Sequence, residues 1–242
     1  MEWALLEAAS QGNIKWLTNL LAEFPHIINK QDRHFRTGLM KACIYSQVEC
    51  VKHLISNKAY PDLRDCDHNT ALLRAIDNTC RTYDNHYNII DNTFIKEPYQ
   101  CIELLLQYGA NSDLLDLDGN TALIKCCIRE YNDYTKLLLK YNVNVNIINP
   151  QSGQTALMYT SYRNNYKIAK LLLSKGAIQT INHKDIYGQT ALIRACQNDS
   201  TESIRLIIDS GADLNLTDEI GIRSNIYIYV HAYTLILYTC IH

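Results

Sequence analysis

Five segments of this 242-residue chain repeat one short pattern: threonine, a small residue, leucine, then an apolar residue. They are Thr37-Gly38-Leu39-Met40, Thr70-Ala71-Leu72-Leu73, Thr121-Ala122-Leu123-Ile124, Thr155-Ala156-Leu157-Met158 and Thr190-Ala191-Leu192-Ile193. Successive threonines lie 33, 51, 34 and 35 residues apart, so an excess of about 18 in the second gap conceals a period near 33. That period constrains the fold more than any other feature. One such unit cannot bury its own apolar face and must stack on its neighbours.

Within each unit the residues read as a helix pair. The threonine precedes an apolar helical run and caps it, its hydroxyl accepting a bond from an orphan backbone N–H. Small residues recur four or five positions on (Ala42, Ala75, Cys126 and Ala195, with Thr160 in the same slot), where helices of adjacent repeats must approach closely. A second helix follows, with apolar residues at helical spacing: Val48, Val51, Leu54 and Ile55 in one unit, Ile168, Leu171, Leu172 and Leu173 in another. It stops at Gly109, Gly176 or Gly211, the residue type that best tolerates a left-handed helix end; Asn142 fills that place once, and Lys58 is a weaker stop. Asp32, Asp65, Asp116, Asp185 and Asp218 stand five residues before each threonine position, and Gly119, Gly153, Gly188 and Gly221 two before it, which is turn chemistry.

These residues resemble the ankyrin-repeat family, whose pattern is Asp-x-x-Gly-x-Thr-Pro-Leu-His-x-Ala, a Leu-rich second helix and Gly-Ala. Here Ala stands where the family has Pro, and Met, Leu or Ile where it has His. The Thr-Ala-Leu-Met form, with 17 Tyr against 3 Phe and abundant Asn and Ile, is similar to ankyrin proteins of giant DNA viruses such as mimivirus and points to an AT-rich genome. The resemblance implies an all-α solenoid of about six helix-pair repeats with short β-hairpin-like turns. It covers residues 1–217, with repeats at about 1–31, 32–64, 65–115, 116–149, 150–184 and 185–217. Leu5 to Glu23 reads as the N-terminal cap, and 218–242 as a degenerate or truncated repeat.

The pattern breaks twice. An insert at 79–98 carries Arg81, Tyr83, His86, Tyr87, Phe94 and Lys96; it reads either as a functional loop or as a neutral insertion, since added loop length costs little entropy. Pro98 marks the return to helix. At the C-terminus Asp218 and Gly221 announce another unit, but Arg223 stands where threonine is due and an uncharged, β-branched and aromatic run follows to Ile241. A frameshift, a divergent closing element and a membrane tail anchor are the three readings; the run is short and polar for an anchor.

Composition narrows the function. With 23 basic against 25 acidic residues and a net charge of −2, no basic footprint for nucleic acid or an anionic membrane is present. Nine cysteines without Cys-x-x-Cys spacing favour a reducing compartment, and the start lacks a signal peptide, so an intracellular protein, cytoplasmic or nuclear, is expected. No phosphate-binding loop, metal-ligand spacing or nucleophile motif is found, so the expectation is a non-enzyme with no cofactor and no metal. Cys50 and His53 lie three apart and read as neighbours on a helix surface.

The resemblance implies binding of one or more proteins, host proteins included if the source is viral, by a monomer, across the hairpin tips and exposed inner-helix positions of a concave face. The tips fall at Arg33 and His34, Cys66 and Asp67, Leu117 and Asp118, Gln151 and Ser152, and Ile186 and Tyr187. The inner-helix positions fall at Ile44 and Tyr45, Asp77 and Asn78, Ile128 and Arg129, Tyr162 and Arg163, and Gln197 and Asn198. Candidate partner-binding residues are therefore Tyr45, Asn78, Arg129, Tyr162, Arg163, Tyr187 and Asn198, with the emphasis on the later repeats, since Tyr and Arg concentrate interface energy. Lys41, Arg74, Lys125 and Arg194, each four after a threonine, form either a basic ridge or stems lying over the surface with their heads in water. Asn146 and Asn215 resemble hydroxylated ankyrin asparagines. Two further readings stand beside the scaffold: a truncated paralogue without a specific partner, and a ubiquitin-ligase substrate adaptor, for which no ligase-docking box is legible.

Overall fold

Four of the repeated threonines cap helices, as their position before an apolar run predicts. In the computed structural model, which describes residues 2–78 and 96–221 (backbone alone at 2, 78, 96 and 97), the hydroxyl of Thr37 accepts the N–H of Met40 at 3.2 Å, and Thr70 that of Leu73 at 3.4 Å. Thr155 takes Met158 and Thr190 takes Ile193, each at 3.3 Å. All four threonines are buried, so the bond is made where water cannot substitute. The insert at 79–95 and the run from 222 onward lie outside the described residues, as do the side chains of Asn78 and Lys96.

The helices fall into two compact units that divide after Ala122. The first unit contains α1 (Glu2–Gln11), α2 (Ile14–Glu23), α3 (Gly38–Ile44), α4 (Val48–Ser56), α5 (Ala71–Asn78) and α6 (Lys96–Gln107). The short inner helices α1, α3 and α5 pack side by side, and the outer helices α2, α4 and α6 form a second row against them. The second unit contains α7 (Ala122–Ile128), α8 (Asn132–Lys140), α9 (Ala156–Tyr162), α10 (Tyr166–Ser174), α11 (Ala191–Gln197) and α12 (Thr201–Asp209). There α9 packs on α11, and α10 touches both α8 and α12. Among the described residues β-pairing is confined to isolated bridges, Gln31 with Thr37 and Ile148 with Thr155 among them, so the fold is all-α with hairpin-like turns.

Small residues permit the close inner rows. Ala42, Ala75, Cys126, Thr160 and Ala195 are all at most 1% exposed. At Gly38 a Cβ would touch Leu5 at 3.4 Å and Ala9 at 3.8 Å, so α1 and α3 meet across a near-bare backbone. The outer helices bury Val51, Leu54 and Ile55 on α4, Ile102, Leu105 and Leu106 on α6, and Ile168 and Leu172 on α10. Pro98 sits in the first turn of α6, where its missing N–H has no helical acceptor to lose.

Among the described residues the backbone turns left-handed at three recurring kinds of place. Outer helices end on Lys58, Gly109, Asn142, Gly176 and Gly211, all with positive φ, as their sequence positions predict. The turn before each threonine does the same at Phe35, His68, Gly119, Gly153 and Gly188. The third place, between inner and outer helix, is held by Gly12, Ser46, Glu130, Asn164 and Asp199, mostly residues that give no glycine signal. A side chain in this region costs roughly 1–2 kcal/mol. His68→Gly and Lys58→Gly, at exposed positions with φ of 58° and 68°, are each expected to raise stability by about 1 kcal/mol, visible as a higher midpoint of thermal unfolding followed by circular dichroism.

Candidate functional site

The turns preceding Thr37, Thr70, Thr121 and Thr190 are each organised by one carboxylate. Asp65 accepts the N–H groups of Asp67 at 3.0 Å and Asn69 at 2.9 Å on Oδ1. Asp185 does the same for Tyr187 and Gln189, both at 2.9 Å, and Asp32 for His34 at 2.8 Å and Arg36 at 2.9 Å. Turns of neighbouring repeats are then joined by single backbone bonds: Cys66 N–H to His34 O at 3.0 Å and Leu117 N–H to Asp67 O at 3.2 Å in the first unit. In the second unit Ile186 donates to Ser152 O and Glu219 to Tyr187 O, each at 3.2 Å. Within each unit the hairpin tips therefore stand at fixed spacing with outward side chains: Arg33, His34, Cys66, Asp67, Leu117 and Asp118 in the first and Gln151, Ile186 and Tyr187 in the second are exposed.

The second carboxylate oxygen corrects the expectation for Lys41, Arg74 and Arg194, and burial corrects it for Lys125. Their heads do not form a free ridge or lie in water. Arg74 Nε donates to Asp65 Oδ2 at 2.5 Å and its terminal nitrogen to Asp67, while Arg194 Nε donates to Asp185 Oδ2 at 2.8 Å. Lys41 Nζ lies 3.4 Å from Asp32, and Lys125 is buried. Asp32 and Lys41, Asp65 and Arg74, and Asp185 and Arg194 are each nine residues apart, a spacing that is not a helical period because a turn intervenes. One repeat lacks both members: Asn149 takes the turn N–H groups of Gln151 and Ser152, and Tyr159 occupies the basic position.

The inner-to-outer corners of the second unit gather several candidates. Arg163 lies 3.4 Å from Glu130, and Asn198 Nδ2 donates to the backbone oxygen of Tyr162 at 2.5 Å. Arg129 is exposed beside Glu130, and Tyr162 is 41% exposed. Tyr187, 56% exposed, is at the hairpin tip before α11, at the opposite end of that helix from Asn198. The structure thus brings Arg129, Tyr162, Arg163 and Asn198 to one end of the inner helices and leaves Tyr187 at the other. Tyr45 holds the equivalent corner of the first unit, 48% exposed. Ile44, expected to be exposed, is buried and Asp77 is half-buried, whereas Tyr162 and Gln197 at the same position after their threonines are exposed.

Asn146 is tied into the next loop: its amide donates to Gly176 O at 3.1 Å and Gln179 Oε1 at 3.2 Å and accepts from Thr180 at 3.1 Å. Asn215 is exposed, its N–H on Asp213 Oδ1 at 2.8 Å. Related side-chain clasps link successive outer loops, Asn29 to Tyr60 N–H at 2.8 Å and Asn182 to Asp213 N–H at 2.9 Å. Cys50 is buried, not on the helix surface. Burial pushes the thiols of Cys127 and Cys196 up to about 12 and raises Cys43 as well, so these are apolar packing groups. Of the seven described cysteines, all free, Cys66 alone is exposed. Among the described residues no three His, Cys, Asp or Glu groups could together hold a metal, and no helix is long and apolar enough to cross a membrane.

A family model described as "Ankyrin repeats (3 copies)" matches residues 5–91, 94–185 and 143–218. The ankyrin repeat protein OPG189 of Variola virus is 27% identical over 90% of this chain and 38% of its own length. An ankyrin repeat protein of Acanthamoeba polyphaga mimivirus, L371, is 27% identical over 69% of the chain and 19% of its own. The chain spans well under two thirds of either relative. Among solved structures, an ankyrin repeat domain from Acinetobacter baumannii superposes with a TM-score of 0.74 at 25% identity, covering 88% of this chain and 100% of that one.

Two carboxyls of the first unit titrate low. The guanidinium of Arg74 holds Asp67 below the ordinary carboxylate value of 3.8. For Asp32, partial burial opposes the charge, but the Arg36 and His34 amides and the Lys41 ammonium outweigh it and lower the value too. Both pairs stabilise the fold above the unfolded value, and that contribution is lost as pH falls through the lower folded value. A carboxyl-detected NMR titration is expected to place both midpoints below 3.8, with Arg74→Met returning Asp67 toward it.

Proposed function

The chain belongs to the ankyrin-repeat family, a family of general protein–protein interaction modules, and on that premise we propose that it is a non-catalytic scaffold that holds a specific partner protein. The observation that carries this reading is the exposed corner of Arg129, Tyr162, Arg163 and Asn198, held by one ion pair and one backbone bond and built from residue types that dominate interface energetics. Tyr45 repeats the same corner in the first unit. The relatives in Variola virus and mimivirus support a viral origin, and on that origin the finer reading is an adaptor acting on a host protein. The seven described cysteines lie in no disulfide, which supports a reducing, intracellular compartment.

The corner can be altered with little effect on the fold. The Arg163–Glu130 pair is about half exposed on each side, and such pairs contribute roughly 0–1 kcal/mol. A Tyr162→Ala, Arg163→Glu double variant should therefore keep the circular dichroism and thermal midpoint of the parent. Affinity purification from cells is expected to recover a partner with the parent chain and lose it with the variant. Identical recovery would move the site elsewhere, and recovery of no specific partner by either chain would overturn the scaffold reading.

A further inference from the structure

Beside α1, the first turn of the first unit opens a groove of about 760 Å³, within the size range of sites that take side chains or small ligands. One wall is Trp3, 71% exposed on α1, a large aromatic surface left in water. The facing residues are Arg33, His34, Arg36 and Lys41, with Asp32 the one carboxylate in the lining.

The charges do not cancel internally. Asp32 is already engaged by the N–H groups of His34 and Arg36 and by Lys41 at 3.4 Å. Asp65, the next carboxylate inward, is 4.0 Å from Arg36 Nε, but its Oδ2 takes Arg74 Nε at 2.5 Å. Arg36 Nε is consequently buried without a hydrogen-bond partner. The Arg36 side chain as a whole is 27% exposed, so its charge, unlike Nε itself, is open to an incoming anion. Arg33 Nε donates to His34 Nε2 at 3.1 Å, and among the described residues no carboxylate pairs with Arg33. Three cations around one committed carboxylate, next to an exposed indole, call for an incoming anion joined to an apolar group.

We propose that this groove docks an acidic peptide segment of a partner protein, with a carboxylate on Arg33 and Arg36 and an adjacent apolar side chain against Trp3. The inference rests on the scaffold reading and adds the chemistry of the partner at a second place. A short carboxylate-bearing segment fits better than a polynucleotide, because the whole chain carries a net charge of −2 and would repel a long polyanion beyond the groove.

The chain holds two tryptophans, Trp3 and Trp16, so a Trp16→Phe background leaves Trp3 as sole reporter. The probe is the blocked peptide Glu-Glu-Leu-Glu-Glu, with its lysine counterpart and a thymidine oligonucleotide as comparisons. The acidic peptide is expected to change Trp3 emission saturably, and Arg33→Glu on the exposed tip should weaken it about tenfold or more without altering circular dichroism. Binding should fade toward about 1 M salt, where screening reaches ~3 Å. Arg36→Met is expected to weaken it as well. No saturable response, no effect of Arg33→Glu, or equal binding of the lysine peptide would overturn the proposal; equally tight binding of the oligonucleotide would do so too, by making the groove a general polyanion site. A failure here, with a cellular partner still lost on changing Tyr162 and Arg163, rejects the groove and leaves the scaffold standing.

Discussion

A carboxylate at the turn before the inner helix sets the geometry of most of these repeats, and in two of them it is sealed from water. The side chains of Asp65 and Asp185 are 0% exposed, and an uncompensated charge at such depth would be untenable. One oxygen closes the turn on two backbone N–H groups, and the other meets a guanidinium on the helix that the turn introduces. The same residue therefore shapes the hairpin, fixes the start of the helix and aligns the tip for the backbone bond to the next repeat. Where the charge is absent, at Asn149, the turn N–H groups are still satisfied and the basic partner has given way to Tyr159.

That arrangement decides which side chains remain for recognition. Arg74 and Arg194 are each 14% exposed and committed to the fold, so the basic residues that recur along the inner helices are the wrong place to look for a partner. What is left are the tips and the corners, where side chains stay exposed. In the second unit these carry Tyr162, Arg163 and Tyr187; in the first they carry Trp3, Arg33 and Tyr45, a different chemistry on the same framework.

Much of this was legible from residues alone, for identifiable reasons. A threonine before an apolar run has one common use, and a glycine after Leu-rich helix has another, so the caps and helix ends at Thr155 and Gly176 could be placed directly. Ser46, Glu130 and Asp199 could not, because their left-handed conformation is imposed by packing on both sides and leaves no mark in residue type. The Asp–Arg pairs were hidden by their separation of nine, which matches neither helix nor strand period. Ile44 was misplaced because a seven-residue helix is too short for its exposed face to be read from spacing, and the corner that gathers Arg163, Glu130 and Asn198 depends on contacts 33 to 36 residues apart.

The chain supplies its own design for testing the buried pair, since the Asn149 and Tyr159 repeat already replaces both members. Equilibrium unfolding of Arg194→Tyr, Asp185→Asn and the double variant measures the coupling between them. Arg194→Tyr alone, which strands the Asp185 carboxylate, is expected to lose about 3 kcal/mol or more, and adding Asp185→Asn should restore part of that, giving a coupling of at least about 1 kcal/mol. Losses that simply add, within about 0.5 kcal/mol, would mean that the two side chains act independently and that the turn does not depend on the pair.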